Sequence, residues 1–122
     1  MSQITNSKRQ YDLEERTFKF AKQIRQFVKA LPKTTGNIED SKQVIRSSGS
    51  VGANYIEANE ASTKKDFKYR IRVSKKEAKE SRYWLCLIDT GGSTKSQNEQ
   101  QELIKETTEL MNIFGSILEK SN

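Results

Sequence analysis

The chain has 122 residues, 33% of them hydrophobic and 31% charged, with a formal net charge of +6 and no histidine, which fits one small domain with a thin core. The missing histidine excludes Ser-His-Asp and Cys-His catalysis, Cys2His2 zinc sites and the Glu-x-x-His ligands of di-iron bundles. One cysteine excludes an intrachain disulfide, no segment reaches the run of about 20 apolar residues that spans a membrane, and the polar N-terminus lacks a signal-peptide pattern, so the expected location is the cytoplasm.

Residues 1–10 show no apolar period and read as a flexible arm ahead of a single domain over residues 11–122. A first helix is expected from about Leu13 to Leu31, opened by the capping pair Asp12 and Glu15 and stopped by Pro32. Its stripe is Leu13, Thr17, Phe20, Ile24, Phe27 and Leu31. A second helix is expected from near Asn37 to about Ala61, with Val44, Ile45, Ser48, Val51, Gly52, Tyr55 and Ile56 on one side. The middle of that side is small. Ser48, Gly49, Gly52 and Ala53 let a neighbouring backbone approach, which must offset about 1 kcal/mol of helix propensity per glycine.

Thr63 with Asp66 signals the third start, and that helix is expected to reach Asp89 or Thr90 before Gly91 ends it. Cys86 falls in the apolar run Trp84–Ile88 and reads as a packed core thiol. A fourth helix is expected from about Gln97 to Lys120, with Leu103, Thr107, Leu110, Met111, Phe114, Ile117 and Leu118 on one side. Four long helices with short links predict an all-α fold, an antiparallel up-down-up-down four-helix bundle.

The charge is unevenly divided. Residues 1–32 hold 7 Lys/Arg against 3 Asp/Glu and residues 62–89 hold 9 against 4, whereas 33–61 hold 3 against 4 and 90–122 hold 3 against 5. On the third helix Lys65, Lys68, Arg72, Lys75 and Lys79 follow one another at steps of three and four, which makes a continuous basic stripe. On the first, Lys22, Arg25 and Lys29 cluster away from the core stripe with Phe18 among them, which suits phosphate contact beside an aromatic ring. An uninterrupted basic row can displace counterions from RNA or DNA, whereas a solvating face usually mixes signs.

Two pairs of carboxylates, Glu57 with Glu60 and Glu77 with Glu80, could hold Mg²⁺ without histidine, in a pattern similar to all-α NTP pyrophosphatases of the MazG type. The helical wheel turns Glu57 away from the core stripe, and Glu77 and Glu80 are expected to pair instead with Arg46, Arg70 or Arg82. Tyr83, Trp84 and Leu87 lie off the main stripe of the third helix and Phe18 off that of the first, more apolar surface than a small monomer exposes. These four residues are the expected subunit interface.

The stretch Arg46-Ser47-Ser48-Gly49-Ser50-Val51-Gly52-Ala53-Asn54-Tyr55-Ile56-Glu57-Ala58, with Asp66-Phe67 and the run Lys75 to Leu85, resembles the 23S rRNA intervening-sequence protein family, also called four-helix-bundle proteins. Asp12 to Arg16 through Leu31-Pro32 fits the family's first helix. The resemblance implies a bundle that assembles as a ring, typically a homopentamer, with relatives that accompany retroelement reverse transcriptases and bind nucleic acid. It brings no catalytic residue, metal or cofactor. The resulting expectation is a non-enzymatic homo-oligomer that binds RNA or DNA with low sequence specificity. The alternatives are a protein scaffold or accessory subunit, for example to a polymerase, and a Mg²⁺-dependent nucleotide hydrolase using the four glutamates.

Overall fold

The computed structural model describes the backbone of residues 2–122 and the side chains of residues 12–122. The helices are α1 (Ser2–Lys29), α2 (Thr35–Asn59), α3 (Lys64–Leu87) and α4 (Thr94–Lys120). Three of their starts are fixed by a hydroxyl in extended backbone. Thr34 Oγ1 accepts from the Asn37 amide at 3.1 Å, Thr63 Oγ1 from the Asp66 amide at 3.1 Å, and Ser93 Oγ from the Ser96 amide at 3.2 Å. Each satisfies an amide that the first helical turn leaves without a partner.

Several boundaries differ from expectation. Helix α1 begins at Ser2, so Asp12 lies inside it and the segment expected as an arm has a helical backbone from Ser2; its side chains lie outside the described residues. Thr34 rather than Asn37 caps α2. Helix α3 stops at Leu87 because Ile88 turns extended, and the Gln100 side-chain amide donates to the carbonyls of Leu85 and Ile88 at 2.8 and 2.9 Å. Gly91 and Gly92 then make the turn at φ +67° and +82°, a region that suits glycine, and α4 opens at Thr94.

Each helix packs on two neighbours in the ring order α1, α2, α3, α4, and across the core Tyr55 of α2 meets Phe114 of α4 with ring centres 5.9 Å apart. Glu14 meets Asn59 and Thr17 meets Gly52, Val51 meets Ser74 and Ser47 meets Ser81, and Lys75 meets Gly115 while Leu85 meets Gln100, so numbers rise along one helix as they fall along the next, which defines an antiparallel bundle. Phe20, Ile24 and Phe27 of α1 fill the centre with Val44, Val51, Ile71, Leu85, Leu110 and Phe114.

The α2–α3 seam is tight and polar. Ser47 Oγ and Ser81 Oγ lie 2.7 Å apart, and Ser74 donates to the Val51 carbonyl at 2.9 Å, so small hydroxyls replace bulk without stranding a polar atom. The α1–α4 seam depends on Arg16, whose guanidinium grips Glu106 with two 2.8 Å bonds and approaches Glu109 at 3.6 Å. At the end of the bundle that holds Pro32, the side-chain amide of Asn37 donates to the carbonyls of Pro32 and Asp89 at 3.0 and 2.8 Å and accepts from the Asp89 amide at 3.0 Å. This buried clasp joins the α1–α2 and α3–α4 links.

Candidate nucleic-acid interface

The ring order separates the eight basic residues expected to bind nucleic acid. On α3, Lys75 lies over Gly115 and Lys68 bonds the side chain of Asn122, so the row Lys65, Lys68, Arg72, Lys75 and Lys79 follows the α3–α4 face. On α1, Lys22 and Arg25 line the groove that α1 forms with α2, and Lys29 continues it. In a ring of four helices these two faces are opposite, and the two basic groups form separate surfaces.

All eight cations are free of carboxylates within 4.0 Å among the described residues, where ion pairs use Arg16, Lys42 and Arg46 instead. Lys68 is half-buried and the other four of the α3 row are exposed. From Lys65 to Lys79 the row extends about 21 Å along the helix axis, close to the axial length of six phosphates on one strand of a duplex. Its positive field is not cancelled locally, as counterion displacement requires. The Lys22 ammonium stands 6.0 Å from the centre of the Phe18 ring.

The four expected interface residues do not form one patch. Tyr83 and Leu87 are exposed along α3, whereas Trp84 is half-buried against the core and meets Tyr83 edge to face at 5.1 Å. Phe18, 64% exposed, belongs to the α1–α2 face. There it is joined by Ile56 and Ile38, at 50% and 43%, although Ile56 is expected on the core side of α2. The buried line of α2 runs instead through Val44, Ser47, Val51, Tyr55 and Ala58. The sequence signal for the displaced line is the series Ile38, Ile45, Gly49, Gly52 and Ile56, at helical steps off the core stripe.

The glutamates are likewise dispersed. Arg46 reaches Glu77 and Glu80 at 3.4 Å each, as one of the expected pairings has it, while Arg70 donates to Asn54 at 3.0 Å. Glu57 and Glu60 are exposed on α2, and among the described residues no three His, Cys, Asp or Glu side chains converge as a metal site. Burial pushes Glu77 above the usual carboxylate range, the neighbouring Glu80 carboxylate adds to the rise, and Arg46 opposes it. One oxygen of Glu77 is buried without a hydrogen-bond partner. Cys86 is exposed, contrary to the expected core thiol, because it lies a helical step outside the buried line of Ala78, Ser81 and Leu85.

A search of curated proteins finds no match. Among solved structures, the chain is similar to a crystal structure of a protein of unknown function from the S23 ribosomal protein family of Bacteroides thetaiotaomicron. The two share 32% identity over 86% of this chain and 96% of that one, with a TM-score of 0.74. The family model of the 23S rRNA-intervening sequence protein matches residues 9–116. With nearly the whole bundle inside that match, the chain belongs to the 23S rRNA-intervening sequence protein family.

Proposed function

We propose that this protein is a non-enzymatic, homo-oligomeric nucleic-acid-binding bundle that holds RNA or DNA through phosphates with little base specificity. The observation that carries the reading is the α3 row, five cations at steps of three and four with no carboxylate in pairing distance among the described residues. Lysine and arginine in such a row contact phosphate oxygens, which fix position and carry no sequence information. The family's name refers to an rRNA insertion, which agrees with a polyanionic partner.

Self-association rests on a second observation. Tyr69, Tyr83 and Leu87 expose 57%, 61% and 51% of their surface along α3, an apolar ridge beside the basic row. A ring, with five subunits as the family resemblance implies, would cover the ridge and repeat the cationic row at every subunit. Individually weak phosphate contacts then gain avidity. No described helix is long and apolar enough to cross a membrane.

Purification without nuclease tests both parts. Light scattering is expected to give a multiple of the 14.0 kDa chain mass, with an absorbance at 260 nm that exceeds the protein's own and falls after nuclease treatment. A particle of single-chain mass with protein-only absorbance contradicts the proposal. The scaffold reading is favoured by a different surface, the α1–α2 groove.

A further inference from the structure

We infer that the groove between α1 and α2 is a docking site for an acidic amphipathic helix of a partner protein. Its floor is low because Gly49, Gly52 and Ala53 bring α1 and α2 close together, with Thr17 packed on Gly52 and Arg25 over Gly49, which leaves a shallow seam for a third rod to settle in. Phe18 and Ile56 flank a hollow of about 340 Å³, and a second, separate hollow of about 300 Å³ lies further along the same α1–α2 seam beside Ile38. From Phe18 to Leu31 the α1 side of the two hollows spans about 20 Å, which matches three to four turns of helix. Three of the six large exposed apolar residues of the described chain fall on this one face.

Charge specifies the occupant. Lys22, Arg25, Lys29, Lys33 and Lys42 line the groove against one carboxylate, Glu14, and that carboxylate is already taken by the side-chain amide of Asn59 at 3.1 Å. Lys42 pairs with Glu39 at 3.7 Å. Arg25 lies over Gly49 and, with no carboxylate in reach among the described residues, donates to the Ala21 carbonyl of its own helix at 3.1 Å. A guanidinium held this way is available to a carboxylate that arrives with a ligand. An incoming helix with leucine-like residues at steps of three and four would seat them on Phe18, Ile56 and Ile38 and direct flanking Glu or Asp at the rim.

The same observations argue against the other occupants. A second copy could offer Tyr69, Tyr83 and Leu87 of α3 as its apolar ridge, but their flanks carry Lys65, Lys76 and Lys79, like charges to the rim. Nucleic acid stacks on aromatic rings, whereas two of the three exposed apolar side chains in the groove are isoleucines.

The test uses the full chain and a fluorescein-labelled amphipathic peptide of about 14 residues, leucines at helical spacing and glutamates flanking them, with a lysine-for-glutamate peptide as control. Anisotropy is expected to show binding of the glutamate peptide and at least roughly tenfold weaker binding of the lysine peptide. Phe18→Ser with Ile56→Ser, and separately Arg25→Glu, are each expected to weaken the glutamate peptide by about tenfold or more. These are exposed positions, and unchanged far-UV dichroism confirms that the variants fold. Equal binding of the two peptides, or full affinity in both variants, overturns the inference. So does displacement of the peptide by a single-stranded oligonucleotide, or a smaller particle for the Phe18/Ile56 variant, which would assign the groove to nucleic acid or to a second copy. None of these variants alters the α3 row, so failure here is distinct from failure of the phosphate-binding proposal.

Discussion

A Cβ on Gly52 would stand 2.9 Å from Thr17 Oγ1 and 3.2 Å from Thr17 Cβ, so this glycine sets how closely α1 and α2 approach. Thr17 is 1% exposed and its hydroxyl donates to the Glu14 carbonyl at 3.0 Å, which leaves it little room to turn aside. Gly52→Ala gains about 1 kcal/mol of helix propensity and meets an overpacking cost of about 1–3 kcal/mol. A net loss of about 1 kcal/mol is expected in urea denaturation. Adding Thr17→Ala removes the obstructing oxygen, so the double variant is expected to be no less stable than Thr17→Ala alone. A fully additive pair would contradict the close contact.

Asn37 is 3% exposed and makes three hydrogen bonds to backbone in two different links. Asn37→Ala leaves the carbonyls of Pro32 and Asp89 and the amide of Asp89 without these partners. The expected loss is about 1–3 kcal/mol, with faster hydrogen exchange at Asp89. Stability within a few tenths of a kcal/mol of the parent would remove the clasp from the account.

Glu77 supplies a pH dependence whose sign is fixed by its environment. Its carboxyl titrates above the usual range because burial disfavours the charge, Glu80 reinforces this, and Arg46 only partly opposes it. The folded state therefore holds the proton more tightly than the unfolded chain, and this residue's contribution to stability falls as pH rises from the ordinary carboxylate pKa through the raised one. Glu77→Gln, whose amide can donate to Glu80, is expected to raise the thermal midpoint at neutral pH and to lose that advantage near pH 4. An advantage of equal size at both pH values would contradict the assigned cause.

Cys86 is the chain's only cysteine and is exposed on α3. One equivalent of thiol is expected to react with a chromogenic disulfide in the native protein, at a rate unchanged by mild denaturant. Reaction only after unfolding would return Cys86 to a covered position.

Much of this architecture is legible residue by residue. Thr63 with Asp66 marks the start of α3 because the cap needs only neighbours in sequence. The stripe Leu13 to Leu31 predicts the buried face of α1 because no alternative line on that helix is as apolar. What escaped the sequence depends on partners remote along the chain. Asn37 carries a capping residue's side chain, yet its partner Asp89 comes from the α3–α4 link, 52 residues away in sequence. Ile56 fits an apolar line on α2, but the hydroxyl contacts of Ser47 with Ser81 and Ser74 with Val51 rotate the buried line away from it. Cys86 has apolar neighbours in sequence, and a helix turns consecutive residues to different sides. The basic row of α3 was readable as spacing; that the cations of α1 occupy the opposite face required the ring order of the helices.

Phosphate binding by the α3 row is read most directly from the salt dependence of oligonucleotide affinity. For the parent protein, log K is expected to fall linearly with log salt, and Arg72→Glu, Lys75→Glu and Lys79→Glu together should abolish binding while leaving helicity and particle mass intact. Single-stranded oligonucleotides of different sequence should bind alike. A triple variant that binds as tightly as the parent, with the same salt slope, would contradict the account.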